Sequence, residues 1–516
     1  MNLTKAVWIL TLSIVLVACG SKVEKGSLEG RVVALAENKE QVFLISSIDL
    51  DAIISKSGAF EGALPEQYAS TAKPYKEALY NSVNLEKSVF ILLEGPVERD
   101  SPKRFTLLFE VKDPAAMKKE FKEVGLNLEG SDKLSTALNR EAGLALVDNK
   151  IGMLVTNTDR NEMTAELLKE YVKVSEKKSE NNELAEAIIT KADITGVALL
   201  DRLYGAMNIS DVSEGTVQKM KDMSKDSYIV GTINFSKGQV DMEIKNYWGE
   251  NMKKYLPVYT SPVSSEAISS LGKGAPIFAL AMNMDFKKMI DNIYINLEES
   301  EKNDVDQAFM MAGGKEKVSN MFTGEMAFAA YKGVTDSDPI FNGFIGLNDA
   351  EYLKNLVNGF GPMAGMTTGD DGVYTFGSDA KMKLDNKSMI FSTSVEEFDQ
   401  LLSAGGNKIE APQGVDFGKH PISMFVDFTK LDPKDFPSDT KMFINELSYF
   451  SVAGDDNGVK AVLKSKNAEK NILQQLIELG VESINAKVDY NYDDEYTMEE
   501  IQELEEEMDE DWENEF

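Results

Sequence analysis

The stretch RFTLLFEVKDPAAMKKEF, residues 104–121, decides the fold of this chain. Every second residue of 105–111 is apolar, which is the period of a strand with one buried face. Asp113 then precedes Pro114; Asp is a good helix N-cap, and Pro is tolerated in the first helical turn. The stretch therefore predicts a strand that is followed at once by a helix.

The same pattern recurs in the second part of the chain, where 341–357 reads FNGFIGLNDAEYLKNLV. Three pairs of similar stretches share an offset of 235 to 237 residues, which chance matches would not do: 42–53 with 277–290, 104–121 with 341–357, and 145–162 with 381–398. A fourth pair, 227–256 with 448–476, has a shorter offset. The repeats predict an internal duplication with one copy at 41–260, a second at 277–485, and a linker at 261–276.

The repeated unit predicts an α+β fold made of two tandem related modules. Each module is expected to contain antiparallel β-meanders with helices packed on one face. Hairpin turns are expected at 236–238 and 455–458, where Gly or Asn can adopt positive φ. If the duplication is real, the two modules should have the same strand order.

The first nineteen residues, MNLTKAVWILTLSIVLVAC, predict a lipoprotein signal peptide at 1–18. Lys5 is basic, and the apolar run at 6–17 is too short for a mature membrane span. Leu16 to Cys19 matches the bacterial lipobox, in which the thiol is acylated before cleavage. Cys19 is the only cysteine of the chain, and several acyl chains would anchor it stably.

Residues 19–40 are polar and contain glycine, and are interpreted as a tether. Gly20 follows the cysteine, where Asp would signal inner-membrane retention in enteric bacteria. We therefore predict a cell-envelope protein that is attached to a membrane by its lipid anchor. The outer membrane is favoured over the inner membrane. Which side of the membrane it faces stays open.

The composition excludes some classes of partner and chemistry. With 86 Asp and Glu against 54 Lys and Arg, the net charge is −32, which disfavours nucleic acid. The one histidine, His420, has no second histidine or evident triad partner and is interpreted as structural or exposed. No catalytic motif is found, and no cofactor or metal is predicted. Acidic turns and 489–500 are weak calcium candidates, because position six of an EF-hand loop would hold Asp494 instead of Gly.

The C-terminal tail, 489–516, contains fifteen acidic residues and no basic one. Within it five apolar residues recur every three or four positions, the spacing of one helix face: Met498, Ile501, Leu504, Met508 and Trp512. One interpretation is a solvated tail that improves solubility, since like charges four residues apart oppose helix formation. The other is a helix that docks on an envelope partner through these five residues.

The chain resembles a family of uncharacterised lipoproteins of Bacteroidota-type bacteria, domain-of-unknown-function family 4836. The resemblance rests on the lipobox at 16–19, the strand motif VFLISSIDLDAIISKSG at 42–58, the element LLFEVKDPAAMKKEF at 107–121 and the overall length. The residues before the first strand differ from those usual in the family: here 36–41 reads AENKEQ. The resemblance implies an envelope location and this architecture, and no site residue beyond Cys19.

Three functions remain open from the sequence. The first is a non-enzymatic, lipid-anchored scaffold that binds a protein or a ligand. The second is a carrier or chaperone for hydrophobic ligands that uses the second module, where 11 of the 24 methionines lie between Met282 and Met389. The third is a hydrolase that uses carboxylates alone, such as a glycosidase, which needs two facing acids in a cleft.

Overall fold

The computed structural model describes Glu24 and residues 26–493, apart from short gaps at 99–100, 124, 159–162, 179–180, 208–212, 298, 334–338, 370–371, 378–379 and 404–407. The predicted signal peptide and Cys19 lie outside the described residues. So does the apolar stripe of the tail: Met498, Ile501, Leu504, Met508 and Trp512.

The described residues form twenty strands. The first half of the chain contains Val42–Ile48 (β1), Val89–Glu98 (β2), Ser101–Glu110 (β3), Glu129–Gly130 (β4), Leu134–Leu138 (β5), Ala142–Val147 (β6), Ile151–Asn157 (β7), Ile194–Leu199 (β8), Tyr228–Ser236 (β9) and Gln239–Tyr247 (β10). The second half contains Phe278–Asn283 (β11), Phe322–Tyr331 (β12), Ile340–Leu347 (β13), Met366–Thr368 (β14), Val373–Phe376 (β15), Ala380–Leu384 (β16), Ser388–Ser392 (β17), Ile422–Asp427 (β18), Leu447–Asp455 (β19) and Gly458–Ser465 (β20).

Seventeen α-helices are present in the same residues. Those of the first half are Leu28–Asn38 (α1), Leu50–Ser57 (α2), Glu66–Ser82 (α3), Pro114–Glu123 (α4), Ala165–Ser175 (α5), Asn182–Ile188 (α6), Leu200–Ala206 (α7), Glu214–Met223 (α8) and Glu250–Lys253 (α9). Those of the second half are Ser265–Ser269 (α10), Phe286–Asn296 (α11), Glu299–Met311 (α12), Lys315–Met321 (α13), Ala350–Phe360 (α14), Val395–Ser403 (α15), Ser438–Glu446 (α16) and Ile472–Asp493 (α17).

All named strands pair antiparallel in one continuous sheet, so the predicted α+β class with β-meanders is confirmed. In the first half the neighbours run β4-β5-β6-β7-β3-β2-β1-β8-β9-β10. In the second half they run β14-β15-β16-β17-β13-β12-β11-β18-β19-β20. The two halves therefore have the same strand order, ten strands apart.

The predicted strand-to-helix element appears in both halves. Asp113 Oδ1 accepts the backbone N–H groups of Ala115 and Ala116 at the start of α4, at 2.8 and 3.1 Å. Asp349 Oδ1 accepts that of Tyr352 at the start of α14, at 2.9 Å. Each carboxylate satisfies donors that the first helical turn leaves unpaired, so each helix begins where its sequence predicts.

The halves are joined through β10 and β20. Their pairing begins with Gln239 opposite Lys464 and ends with Lys245 opposite Gly458. The turn 455–458 that precedes β20 adds a second connection. Asp456 Oδ2 accepts the backbone N–H groups of Val258 and Tyr259, both at 2.8 Å, and the Asp456 carbonyl accepts the indole N–H of Trp248 at 2.8 Å. The acidic turn therefore forms the predicted hairpin and also binds the segment that leaves the first half.

Buried side chains cover both faces of the sheet in the first half. On one face α1, α5 and α6 pack over Leu92, Leu108 and Met153. On the other face Met117 of α4 packs with Phe109 and other side chains. Consecutive residues such as Leu108 and Phe109 belong to different clusters, because successive side chains of a strand point to opposite faces.

Two segments differ from their predicted roles as tether and linker. Residues 28–38, inside the predicted tether, form α1, whose Val32, Val33 and Leu35 are fully buried in the first half. Residues 265–269, inside the predicted linker, form α10, which buries Ala267. Leu271 lies just after this helix and packs in the same core. Both segments belong to the folded body: α1 is buried around nearly its whole circumference over residues 30–36, and α10 buries Ala267.

Candidate functional site

The central strands bury the side that carries most of their small and polar side chains, and large apolar side chains on the other side stay half-buried. In β18, Ser423 is 2 % exposed and Phe425 is fully buried, whereas Ile422, Met424 and Val426 are half-buried. A sheet face that is open to solvent normally carries polar side chains. This strand therefore has apolar side chains on the side where water would favour polar ones.

Strand β11 shows the same inversion. Ala279 and Ala281 are fully buried, while Phe278, Leu280 and Met282 on the other side are half-buried. The large side chains of β11 thus lie on the side that keeps some contact with water. Partly exposed apolar side chains that form a contiguous patch mark a surface that can bind another apolar group.

Strand register connects these half-buried side chains into one row across seven adjacent strands. Directly opposite residues of an antiparallel pair lie on the same face. From β8 to β11 the row consists of Ile194, Ile233, Met242, Ala461, Val452, Met424 and Leu280. None of them is buried. We call this side of β8, β9, β10, β20, β19, β18 and β11 the open face, although it is covered at one end, where Val240 of β10 is 5 % exposed.

Space above the open face is greatest at a pair of glycines. Gly196 of β8 and Gly231 of β9 lie opposite each other in the neighbouring row. A Cβ atom added at either residue would meet no atom within 4 Å. In the same row Ile244 of β10 is 44 % exposed. The two glycines therefore form the floor of a shallow depression in an apolar surface.

A deeper apolar cleft lies beside this face in the first half, between the sheet and helices α3 and α4. Its volume is about 580 Å³, which falls within the range of small-molecule sites. We call it the first cleft. Its lining is Ile48, Leu50, Pro74, Tyr75, Ala78, Leu79, Ser82, Val83, Val89, Ile91, Leu107, Phe109, Glu120, Phe121 and Glu123.

Local sequence explains how the walls of the first cleft are held. Asp49 caps α2 by accepting the backbone N–H of Ala52 at 2.9 Å, and this places Leu50 at the end of the cleft. The helix α3 leaves much of its surface in solvent, and Tyr75 is 72 % exposed. Glu120 and Glu123 of α4 supply the carboxylates of the lining. The interior is thus apolar, and its charged groups are anionic.

A second cleft of about 570 Å³ lies at the corresponding place in the second half, between α12 and α14. It is lined by Ala308, Met311, Ala312, Leu356, Val357, Phe360, Gly361 and Met366. Met311 is 82 % exposed and Phe360 is 61 % exposed. Two of the methionines noted in the sequence therefore line this cleft, and Met366 of β14 is the one strand residue in its lining.

One buried polar cluster lies in the first half and was not predicted. Glu94, Arg104 and Asn157 occupy opposite positions on β2, β3 and β7. Tyr171 of α5 donates its hydroxyl hydrogen to the Glu94 carboxylate, with 2.6 Å to each oxygen. Arg104 donates to the Tyr171 hydroxyl at 3.0 Å, to Glu94 at 3.4 Å and to Asn157 at 2.6 Å.

The environment of this cluster keeps the tyrosine protonated. Burial raises the pKa of Tyr171 well above its ordinary value, and the Glu94 carboxylate raises it further. Glu94 is 1 % exposed, so a ligand in solution does not reach its carboxylate. A protonated phenol beside an arginine completes the hydrogen bonding of a buried carboxylate, which is a structural role.

The remaining sequence candidates do not come together. His420 is exposed in the turn before β18, and Asp427 lies at the other end of that strand, where its carboxylate accepts the N–H of Thr429 at 3.0 Å. Within the described ranges, no group of three or more His, Cys, Asp or Glu side chains is arranged to hold a metal ion. None of the helices in those ranges has both the length and the apolar composition of a membrane span.

Comparison with known proteins adds little to this picture. No family model matches the chain, and no curated protein matches it. Three crystal forms of a protein named TP0453 are similar to parts of it: form IV at 12 % identity over 43 % of this chain and 97 % of that one, with a TM-score of 0.24; form I at 8 %, 45 % and 81 %, with 0.26; form III at 8 %, 48 % and 91 %, with 0.27. At these TM-scores the similarity carries no argument about this chain.

Proposed function

We propose that this protein is a non-enzymatic, lipid-anchored protein of the cell envelope that binds an amphiphile with a long hydrocarbon chain in the first cleft. The observation that carries the proposal is the lining of that cleft, in which Ser82, Tyr75, Glu120 and Glu123 are the only polar members among fifteen residues. The lipid anchor at Cys19 and the outer membrane are retained from the sequence. We also infer that the two halves arose by internal duplication, which their common strand order supports.

The chemistry of the cleft favours one kind of ligand. Its wall includes strand residues Ile48, Ile91 and Leu107, whose backbone groups are already paired within the sheet. A ligand therefore gains only apolar contacts there, as a hydrocarbon chain does. Glu120 and Glu123 disfavour an anionic headgroup, because like charges repel at close range. An amphiphile with an uncharged headgroup fits both features.

The second cleft supports the alternative of a carrier that uses the methionine-rich second module. Met311 and Met366 line it, and methionine adapts its shape to different apolar ligands. We place the ligand in the first cleft because sheet and helices both enclose it, whereas Met311 and Phe360 of the second cleft are largely exposed. Occupation of the second cleft alone would favour the alternative.

The first cleft can be tested by filling it. Ala78 of α3 lines the cleft, so Ala78→Trp should place an indole where the hydrocarbon chain would lie. We expect binding of an uncharged sixteen-carbon amphiphile, measured by displacement of an apolar fluorescent dye, to weaken at least tenfold. The matched control is Lys73→Trp, which adds the same bulk to the exposed side of the same helix, facing away from the cleft, and should leave binding unchanged. Equal binding by the wild type and both variants would contradict the proposal.

A further inference from the structure

The second cleft carries the most exposed apolar side chains of the second half. Met311 and Phe360 line it, and Met310, the preceding residue of α12, is 70 % exposed. These are three of the four most exposed large apolar side chains in the part of the chain that the structure describes, the fourth being Tyr75. We call Met310, Met311 and Phe360 the apolar rim. Clustered exposure of this kind marks a surface that contacts a partner or a membrane.

Close packing supports the apolar rim. Met311 is the last residue of α12, and Phe360 is the last residue of α14. After α12 the chain turns at Gly313, where an added Cβ would overlap the hydroxyl of Tyr352 in the first turn of α14. The end of one helix therefore packs against the start of the other, and the rim projects from this packed support.

No charged residue lies near the rim in the sequence. The segments 307–314 and 355–369 contain none among 23 residues. Charged residues make up 27 % of the whole chain, so a stretch of that length would ordinarily hold about six. Transfer of a charge into an apolar medium is costly, whereas Met and Phe side chains are stabilised by it. The rim is therefore the kind of surface that can enter hydrocarbon.

Tyrosine and lysine side chains border this uncharged surface. Lys317 lies over the ring of Tyr352, with its ammonium nitrogen 5.4 Å from the ring centre. Lys315 lies over the ring of Tyr294 in the same way, at 4.0 Å. Tyrosine rings and long lysine side chains are typical of the level of lipid headgroups, because each has an apolar body and a polar tip. The border therefore suits a protein that rests on a lipid surface.

A lipid surface fits the rim better than a protein does. Protein interfaces combine apolar contacts with hydrogen bonds, and the three rim side chains have no hydrogen-bond donor. A second copy related by a twofold axis would bring two α12 helices together, and the exposed Glu299 and Asp304 of each would repel those of the other. We propose that the apolar rim inserts into the hydrocarbon surface of a membrane. The proposal rests on the envelope location in the proposed function, but not on the ligand of the first cleft.

Apolar insertion predicts a distinctive response to salt. On uncharged phosphatidylcholine vesicles, added salt should leave the contact unchanged, because salt screens only charges. On vesicles that also contain phosphatidylglycerol, the contact should be weaker at low salt, since the chain carries a net charge of −32 and like charges repel. Added salt should then restore it. Stronger contact with the anionic vesicles at low salt would contradict the proposal.

A dye on the rim tests the contact directly. The chain 20–516 lacks Cys19, the only native cysteine, so Met311→Cys can be labelled with a dye whose emission rises in apolar surroundings. An N-terminal histidine tag holds this chain on phosphatidylcholine vesicles through a nickel-chelating lipid, in place of the acyl anchor. The control position is Asn445→Cys, which is exposed on α16. No amphiphile is added, so the test does not involve the first cleft.

We expect the emission of the Met311→Cys dye to at least double on the vesicles and to be quenched by lipids that are brominated in their acyl chains. The Asn445→Cys dye should not change. Met310→Glu with Phe360→Glu should abolish the increase, because this pair places two charges in the rim. Gln67→Glu with Asn445→Glu adds the same charge at exposed positions of other helices and should not abolish it.

Ala78→Trp should also leave the increase intact, so failure of the first cleft as a ligand site would not affect this result. Circular dichroism verifies that each variant is folded. Unchanged emission of the Met311→Cys dye on the vesicles, or an equal rise at Asn445→Cys, would overturn the proposal. A rise without vesicles that follows protein concentration, together with a dimer mass by light scattering, would also overturn it, because a second copy would then cover the rim.

Discussion

Glu94→Ala should lower the free energy of unfolding by about 3–5 kcal/mol, the usual cost of leaving one partner of a buried ion pair uncompensated. The carboxylate is 1 % exposed and accepts from both Tyr171 and Arg104. Its removal leaves the Arg104 guanidinium, in a side chain that is 11 % exposed, with Asn157 and the Tyr171 hydroxyl near it but no carboxylate. Denaturant unfolding followed by circular dichroism measures the change.

The control for this substitution is Glu243→Ala, also on a strand. Glu243 forms ion pairs with Lys245 at 3.4 Å and Lys460 at 3.5 Å, but its side chain is 34 % exposed. Such pairs contribute about 0–1 kcal/mol, because water screens the charges and the side chains lose conformational freedom. Equal effects of Glu94→Ala and Glu243→Ala would show that the Glu94 cluster is not buried as described.

The second large effect is expected at Phe425, and its neighbour in β18 is the control. Phe425→Ala should cost about 3–5 kcal/mol, because the side chain is fully buried and its loss leaves a cavity. Met424→Ala should cost less than about 1.5 kcal/mol, since Met424 is half-buried on the open face and loses little packing. Both free energies come from the same denaturant titration.

Comparing the two free energies of unfolding tests which side of the central strands is buried. From the sequence ISMFVD alone, either of the two alternating sets of side chains in β18 could be the buried one. If Met424→Ala proved as costly as Phe425→Ala, the open face would be a covered core.

Much of the fold follows from the sequence because the repeated element is explicit in it. The alternation at 105–111, the caps Asp113 and Asp349 and the turn at 455–458 each specify local geometry, and the structure contains the strand, both caps and the turn. The strand does not have the single buried face that the alternation predicts, because Thr106 and Leu108 on its other side are fully buried. The common offset of the repeats then predicts that the two halves share a strand order. These features are local or periodic, and for that reason a single sequence reveals them.

Burial of a whole face of the sheet is not a local property, and the sequence did not predict which face is buried. Alternation in β11 shows that Ala279 and Ala281 share one side and Phe278, Leu280 and Met282 the other. It does not show which side the helices cover, and the usual expectation would cover the larger residues. The first cleft was missed for a similar reason, because its walls come from three helices and three strands that are distant in sequence.

The segments 28–38 and 265–269 form short helices of the folded body, although their composition predicts a tether and a linker. In 28–38 a glycine and an arginine interrupt the apolar residues, so that the composition resembled a flexible segment. Arg31 is nevertheless 4 % exposed and donates to Ser175 Oγ at 2.9 Å. The sequence alone does not distinguish a charged side chain that is buried against a distant partner from one that is exposed to solvent. The Glu94 cluster escaped prediction on the same grounds.

The most direct test of the central claim is to locate a bound hydrocarbon chain on the protein. An uncharged sixteen-carbon amphiphile with a diazirine at the end of its chain is bound to the mature protein and activated by light, and the modified residues are identified by mass spectrometry. The account predicts modification around Leu79, Ile91 and Phe121, which line the first cleft, and loss of that modification in Ala78→Trp. Modification confined to Met311 and Met366, or none above the level of a non-binding protein, would contradict it.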